Sequence, residues 1–423
     1  MSAVSALFQG LASFDLAAYT EKAHRLGRQC LAQDQELRDE IRSLAVGARA
    51  VSHGGSIELD RQARDMVEVS RLFLDAQDAI MASARPRYEP YTTALLLRYV
   101  LRVDGYESLR ATRGRIWATF RRILADQIAF DAAALSGGAG PAKRDVSPEV
   151  ARARCAILDE VHALIPPDIA NSPNRPAESA RWLLDVAQDP PGPGTVARLT
   201  VFPQTVCHDE VAFLRVIHLC ECLFWGAFLC VRQALGAFRP GRQRRQALEL
   251  LAMADEFATP LIRLFHSVRE MPPEHFRAFR EATGDASAIQ SQSWQLLDAH
   301  MYGVLPEKVL ALAATPEVRH VLLLANPHFV PLVQRARQLG GTEDDTLLRD
   351  RIVVLDQRLR AWRKFHEKQL AGQRDPGYLP DGGPGTGGTS GYGYLAAHRP
   401  PRAPRLRDER TDRRDTVDAL ARG

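Results

Sequence analysis

Between His208 and Leu235 the chain reads HDEVAFLRVIHLCECLFWGAFLCVRQAL, an almost unbroken apolar run that still carries Arg215, His218 and Glu221. Charges in those positions argue for one long buried helix rather than a membrane span. A helix that is apolar nearly all round has to be surrounded by other helices, so this segment sets an all-α bundle as the expected fold. Asp209 and Glu210 fall in its first turn, where the helix dipole favours negative charge. GRQRRQALELLAMADEFATPLIRLFHSV then supplies a second helix as the antiparallel partner. Shorter helices are expected around Phe276 to Arg280 and Ser291 to His300, and a last long one from about Arg349 to Ala371.

Upstream, apolar positions recur at helical spacing (Leu72, Leu74, Ile80, then Leu95 to Leu101) with few strand-like runs. The Gly/Pro break SGGAGPAKRDVSP at 136–148 separates this region from the later helices, and DPPGPG at 189–194 marks a second loop. The reading is an N-terminal helical region over 1–140, a helical core over 150–372, and a Gly-, Pro- and Arg-rich remainder over 373–423 whose end should be disordered. At 423 residues and 45% hydrophobic, the chain is long enough to bury a full core.

Charge excludes one class of partner. Fifty-five basic residues against 51 acidic leave a net +4 spread along the chain, so no polycationic surface points to nucleic acid. Arginine and alanine abound while lysine occurs only at 22, 143, 308, 364 and 368, the composition of a GC-rich bacterial coding sequence. Six cysteines without CxxC or CxxCH spacing argue against zinc and against thioether-linked haem, and read as reduced, packed thiols. The N-terminus lacks the cationic start and apolar core of a signal peptide, so a cytoplasmic protein with no membrane association is expected.

Three segments carry candidate chemistry. On the last helix Ile352, Leu355, Leu359, Trp362, His366 and Leu370 share one face, which puts an imidazole inside an apolar stripe. Such a histidine is either a core residue bonded to a backbone carbonyl or the ligand of a haem iron whose porphyrin the stripe buries, and periodicity does not choose between them. FREATGDASAIQSQSW, 279–294, joins Arg280 to a small-residue loop: either a solvated arginine followed by an N-cap at Ser287, or a bidentate clamp for a carboxylate beside a flat ligand. GTGGTSGYGYL, 385–395, is glycine-rich but has no following lysine and no preceding strand, which fits a mobile lid or linker better than a phosphate loop.

In order along residues 200–395, these segments resemble tryptophan 2,3-dioxygenase and its relatives. HDE at 208–210 with Phe213 and Glu221 resembles the helix of the distal haem wall; FREATGDASAIQSQSWQLLD resembles the substrate and haem loop; WRKFH at 362–366 resembles the proximal-histidine segment; and GTGGTSGYGYL resembles the lid. The resemblance implies a haem b site with His366 as iron ligand and Trp362 beside it, Ser287 and Ala288 against the haem edge, Arg280 on the substrate carboxylate, Thr386 on its amino-acid group, and Phe213, Phe276 and Phe279 around an indole ring. It further implies O2 as co-substrate, an aromatic amino acid as partner, and a homo-oligomer in which a neighbour's N-terminal segment closes the pocket; Tyr88 and Tyr91 are aromatic candidates for that role, or ordinary surface or core tyrosines.

The family's distal histidine position is Ile217 here, and the nearest imidazole is His218, about 100° further round the helix. Either a local bulge turns His218 into the pocket as the catalytic group, or the distal wall is apolar. Ala288 stands where the family has Gly, the interval between His366 and the lid is longer, and the N-terminal region of about 150 residues has no matched counterpart. The implied activity is conversion of L-tryptophan to N-formylkynurenine. The alternatives are a haem-dependent monooxygenase or hydroxylase of an aromatic amino acid in bacterial specialised metabolism, and a haem-binding sensor without turnover.

Overall fold

The computed structural model describes residues 13–53, 61–83, 85–102, 108–135, 146–170, 200–238 and 243–370, with short pieces at 6–7 and 9–10. The expected all-α fold is what the chain has: among the described residues there are helices and no strand. The 208–235 run forms α8 (His208–Gly236), and its length and apolar character would suit a bilayer, yet nearly all of it is buried inside the bundle.

Ahead of it come α1 (Leu16–Leu26), α2 (Gln35–His53), α3 (Arg61–Ala82), α4 (Tyr88–Thr92), α5 (Ala94–Val100), α6 (Leu109–Leu135) and α7 (Pro148–Ala163). After it come α9 (Gln243–Ala258), α10 (Leu261–Arg269), α11 (Pro273–Arg280), α12 (Gln292–Tyr302), α13 (Pro306–Ala314), α14 (Leu332–Arg337) and α15 (Glu343–Leu370). The expected single partner of α8 is therefore two helices. Pro260 has no N–H to continue the ladder, and the chain restarts as α10 at Leu261. The last helix begins six residues before the expected Arg349, at Glu343, because Glu343, Asp344 and Asp345 make a favourable acidic first turn.

Packing is set by the apolar faces. Helix α8 lies against α6, α9 and α12, and α15 against α9. Their shared core includes Trp117 stacked on Phe257 at 5.0 Å, and Ile352, Leu355, Leu359 and Trp362 of the α15 stripe. Gly226 of α8 lets the Phe257 ring in; a Cβ there would stand 2.7 Å from three ring carbons. Helix α6, from the N-terminal region, contributes Ile116, Trp117 and Phe120 to this same core, whereas α1, α2 and α3 pack around a second cluster of their own.

Two buried polar networks tie the start of α8 to its surroundings. Asp209 accepts from Arg154 at 2.5 Å and contacts His275 at 2.6 Å, while Asp131 holds Arg154 at 3.0 Å and His208 at 2.9 Å. Glu210 accepts from the backbone N–H of Gln204 and Thr205, at 2.8 and 2.7 Å, and from the Tyr91 hydroxyl at 3.1 Å. The HDE triplet is thus a structural knot in which each buried charge or carboxyl has several partners.

Candidate active site

A cavity of about 1440 Å³ including its mouth opens between α8, α15 and the 281–291 segment. Spacing of three or four residues on α8 presents Phe213, Ile217, Cys220 and Phe224 to one wall. Opposite in sequence but adjacent in space, Trp362, Arg363, His366 and Glu367 of α15 line another. Phe224, Trp294 and Trp362 close part of the wall as an aromatic triangle, with ring centroids 4.6–5.0 Å apart.

His366 stands one turn beyond Trp362, with centroids 5.5 Å apart, and the Phe265 ring meets it edge-on at 4.9 Å. Among the described residues it has ring contacts and no hydrogen bond. Burial, reinforced by the nearby Arg363 guanidinium, pushes its pKa down to about 4, so at neutral pH it is an uncharged imidazole lining the cavity. An imidazole satisfied by a backbone carbonyl, the bland alternative, is not what the structure has.

Segment 281–291 is built around Gly284, which adopts φ +57 and whose absent Cβ would lie 2.4–2.6 Å from Pro86 and Arg85. The loop's glycine therefore serves a close approach to the chain leading into α4, rather than to a flat ligand. Across that approach the Gln290 amide oxygen accepts from the backbone N–H of both Tyr88, at 2.8 Å, and Ser287, at 3.1 Å. Ser287 and Ala288 line the cavity; Ser287 is, as expected, an N-cap, of the 3-10 turn Ala288–Gln290, and Ser291 caps α12, its hydroxyl accepting from Trp294 N–H.

The phenylalanines expected around a ring divide. Phe213 and Phe276 line the cavity; Phe279 is buried behind them, in contact with both at 5.5 and 5.4 Å. Arg280 is half-buried with its guanidinium 6.0 Å from the Phe276 ring, outside the lining residues, and burial lowers its pKa. Thr386 and the 385–395 segment lie outside the described residues.

The two alternatives for the distal position separate cleanly. Helix α8 is regular across 217–218, Ile217 lines the cavity, and His218 points away from it. His218 Nε2 donates to the Thr92 carbonyl at 2.5 Å and the ring is buried, which lowers its pKa to about 3. The bulge that would turn it inward does not occur, so the expectation of His218 as the group facing the reaction is corrected to Ile217 on an apolar wall.

Tyr88 and Tyr91, named as aromatic candidates for closing the pocket from a neighbouring subunit, reach the cavity from their own chain, through the short α4. Other lining residues lay beyond sequence reasoning. Cys220 reaches it from α8, with its thiol pushed well up by burial; all six cysteines are free. Lys308 and Arg363 both contact Asp298 at 2.6 Å and both line the cavity. The helical phase of Phe213, Ile217 and Phe224 could have pointed to Cys220, whereas no local pattern marks Lys308.

No family model matches the chain. It is 27% identical over 234 residues to a tryptophan 2,3-dioxygenase of Ruegeria pomeroyi, covering 46% of this chain and 81% of that protein. A tryptophan 2,3-dioxygenase of a second Ruegeria strain is 27% identical over 226 residues, covering 44% and 78%. The chain is a distant relative of the tryptophan 2,3-dioxygenases. That relationship agrees with the resemblance of the HDE, FREATGDASAIQSQSW and WRKFH segments, and it leaves more than half of this chain without a counterpart in the match.

Proposed function

We propose that the protein is a haem b-dependent oxygenase that oxidises the indole ring of L-tryptophan or a close derivative with O2, as in the conversion to N-formylkynurenine. The observation that carries this reading is His366: a neutral imidazole without a hydrogen bond among the described residues, set in an aromatic wall of a large cavity. The residues present fit a haem. His366 would hold the iron, and the apolar side chains of Trp362, Phe265 and Val268 would cover the porphyrin. Bound there, haem would supply the iron centre at which dioxygen is activated.

The chain's own residues supply the rest. Phe213, Phe276 and Ile217 offer a water-excluding surface for a flat aromatic ring. Arg280 would take the substrate carboxylate from the end of α11, and Thr386 its amino-acid group. With Ile217 on the wall, no imidazole among the described residues stands at the distal position to move a proton on or off the ring nitrogen. That same observation favours a second reading, in which one oxygen atom enters and an aromatic amino acid is hydroxylated.

The test is spectroscopic and then chemical. Purified protein supplemented with haem should show the absorption of a histidine-ligated haem b. Incubated with L-tryptophan, a reductant and oxygen, it should yield a product heavier by two oxygen atoms; one added oxygen selects the second reading. A protein that takes up no haem defeats the proposal, and haem uptake without any product leaves a sensor.

A further inference from the structure

Behind the cavity wall, Glu221 is 1% exposed and holds two donors on a single oxygen: the Tyr88 hydroxyl at 2.7 Å and the Ser291 hydroxyl at 2.5 Å. Its other oxygen, Oε2, is buried without a hydrogen-bond partner among the described residues. Tyr88 and Ser291 both line the cavity. Tyr88 packs in the same apolar cluster as Phe213 and Ile217.

The direction of these bonds decides what the wall offers a ligand. Tyr88 has committed its only proton to Glu221, so the lone pair that its hydroxyl oxygen keeps beside the Ser291 hydroxyl can only accept. Ser291 has likewise given its proton to Glu221, and it accepts from Trp294 N–H. This part of the wall therefore presents an acceptor and no donor. Tyr91 has the same pattern, its hydroxyl donating to Glu210, but Glu210 is already held by two backbone N–H groups and the Thr205 hydroxyl. Glu221 is the underserved partner. A donor added at Tyr88 would polarise the Tyr88–Glu221 bond and strengthen both links of the chain.

Resting on the proposed oxygenase function, we infer that Tyr88, backed by Glu221, accepts a hydrogen bond from an N–H or O–H on the aromatic ring bound in the cavity, and so sets the orientation and the preference of the site for donor-bearing rings. Ile217 has no polar atom to do this, and Tyr88 stands in its cluster. Burial and the neighbouring Glu221 hold the Tyr88 hydroxyl well above its ordinary pKa, so it keeps its proton and the direction of the chain is preserved.

The probes are indole and benzofuran, equal in shape but differing in the ring N–H, titrated calorimetrically into the full-length, haem-supplemented protein. Wild type should bind indole roughly three- to tenfold more tightly than benzofuran, the worth of one hydrogen bond. Tyr88→Phe should bind the two equally, by losing indole affinity rather than gaining benzofuran affinity. Glu221→Gln keeps the shape and an oxygen for Tyr88 but replaces the second carboxyl oxygen by an amide donor, and should narrow the preference; it also decides the matter if Tyr88→Phe does not fold. Equal binding of the two probes by wild type, or a preference unchanged in the variants, overturns this inference while leaving the proposed function standing. Failure of either ring to bind also overturns this inference, whereas failure to take up haem overturns the proposed function beneath it.

Discussion

Ile217 and His218 are consecutive residues of one regular helix with opposite fates: Ile217 lines the cavity, and the His218 imidazole donates to the Thr92 carbonyl at 2.5 Å. The consequence is a clean separation of variants. His218→Ala should behave as a core lesion, destabilising the fold by about 1–3 kcal/mol because the Thr92 oxygen loses its donor, with unchanged ligand affinity. Ile217→Ala should leave stability less affected and relax the preference among ring-substituted aromatic amino acids. Thermal melts and binding titrations on the two variants check this, and a His218→Ala protein of normal stability with lost turnover would contradict it.

Acid should destabilise the fold in a window set by the same histidine. The folded-state pKa of His218 is lowered to about 3, from 6.5, by burial and by the Arg215 charge. The unfolded chain therefore binds this proton as the pH falls through 6.5, whereas the folded one does not until about pH 3. The stability it contributes is complete above pH 6.5 and is lost on acidification, with a slope of up to about 1.4 kcal/mol per pH unit. His366, at about 4, adds to this in haem-free protein. Urea midpoints at pH 7.5, 6.0 and 5.0 should fall in that order, and His218→Leu should flatten the trend.

Replacement of His366 by Ala should abolish most haem uptake while leaving far-ultraviolet dichroism intact, since the ring has no hydrogen bond to lose among the described residues. Haem titration followed by absorbance gives the answer, and normal uptake would remove His366 from the site.

Arg280→Ala should leave haem content alone and raise the L-tryptophan concentration needed for a spectral shift by roughly ten- to a hundredfold, the value of a charge-assisted pair. Tryptamine, which has no carboxylate, should bind wild type and variant alike. Tight tryptamine binding by wild type, equal to that of tryptophan, would exclude a carboxylate clamp.

Arg154 lies between Asp131 and Asp209, at 3.0 and 2.5 Å, with all three side chains buried. Arg154→Met removes the shared cation and leaves two buried carboxylates facing one another, at an expected cost of about 3–5 kcal/mol. Chemical denaturation reads that loss directly. A change below about 1 kcal/mol would mean that His208 and His275 carry the carboxylates without the arginine.

The elements of the bundle and the stripe on α15 were legible in the sequence because helical periodicity is a local property: residues three or four apart share a face wherever the helix is placed. Ile352, Leu355, Leu359 and Trp362 are buried as that spacing requires, and His366 joins them at the cavity wall. Ser287, Ala288, Phe213 and Phe276, which the resemblance to the tryptophan 2,3-dioxygenases implied, also line the cavity. Helix breaks were harder to place, since Pro260 could kink a helix or end it, and packing against α7 and α15 settles α10 as a separate piece.

Tertiary structure alone decided which way α8 is turned, and therefore that Ile217 rather than His218 meets the cavity. The helix is apolar nearly all round, so periodicity does not choose between Ile217 and His218; the Thr92 carbonyl, 126 residues away, captures the imidazole and fixes the choice. Tyr88 comes to the cavity across a separation of 133 residues from Glu221, and Lys308 through its pairing with Asp298. Hydrogen bonds and ion pairs of this kind join surfaces that no repeat or spacing relates, because their partners are chosen by the docking of whole helices rather than by the geometry of one.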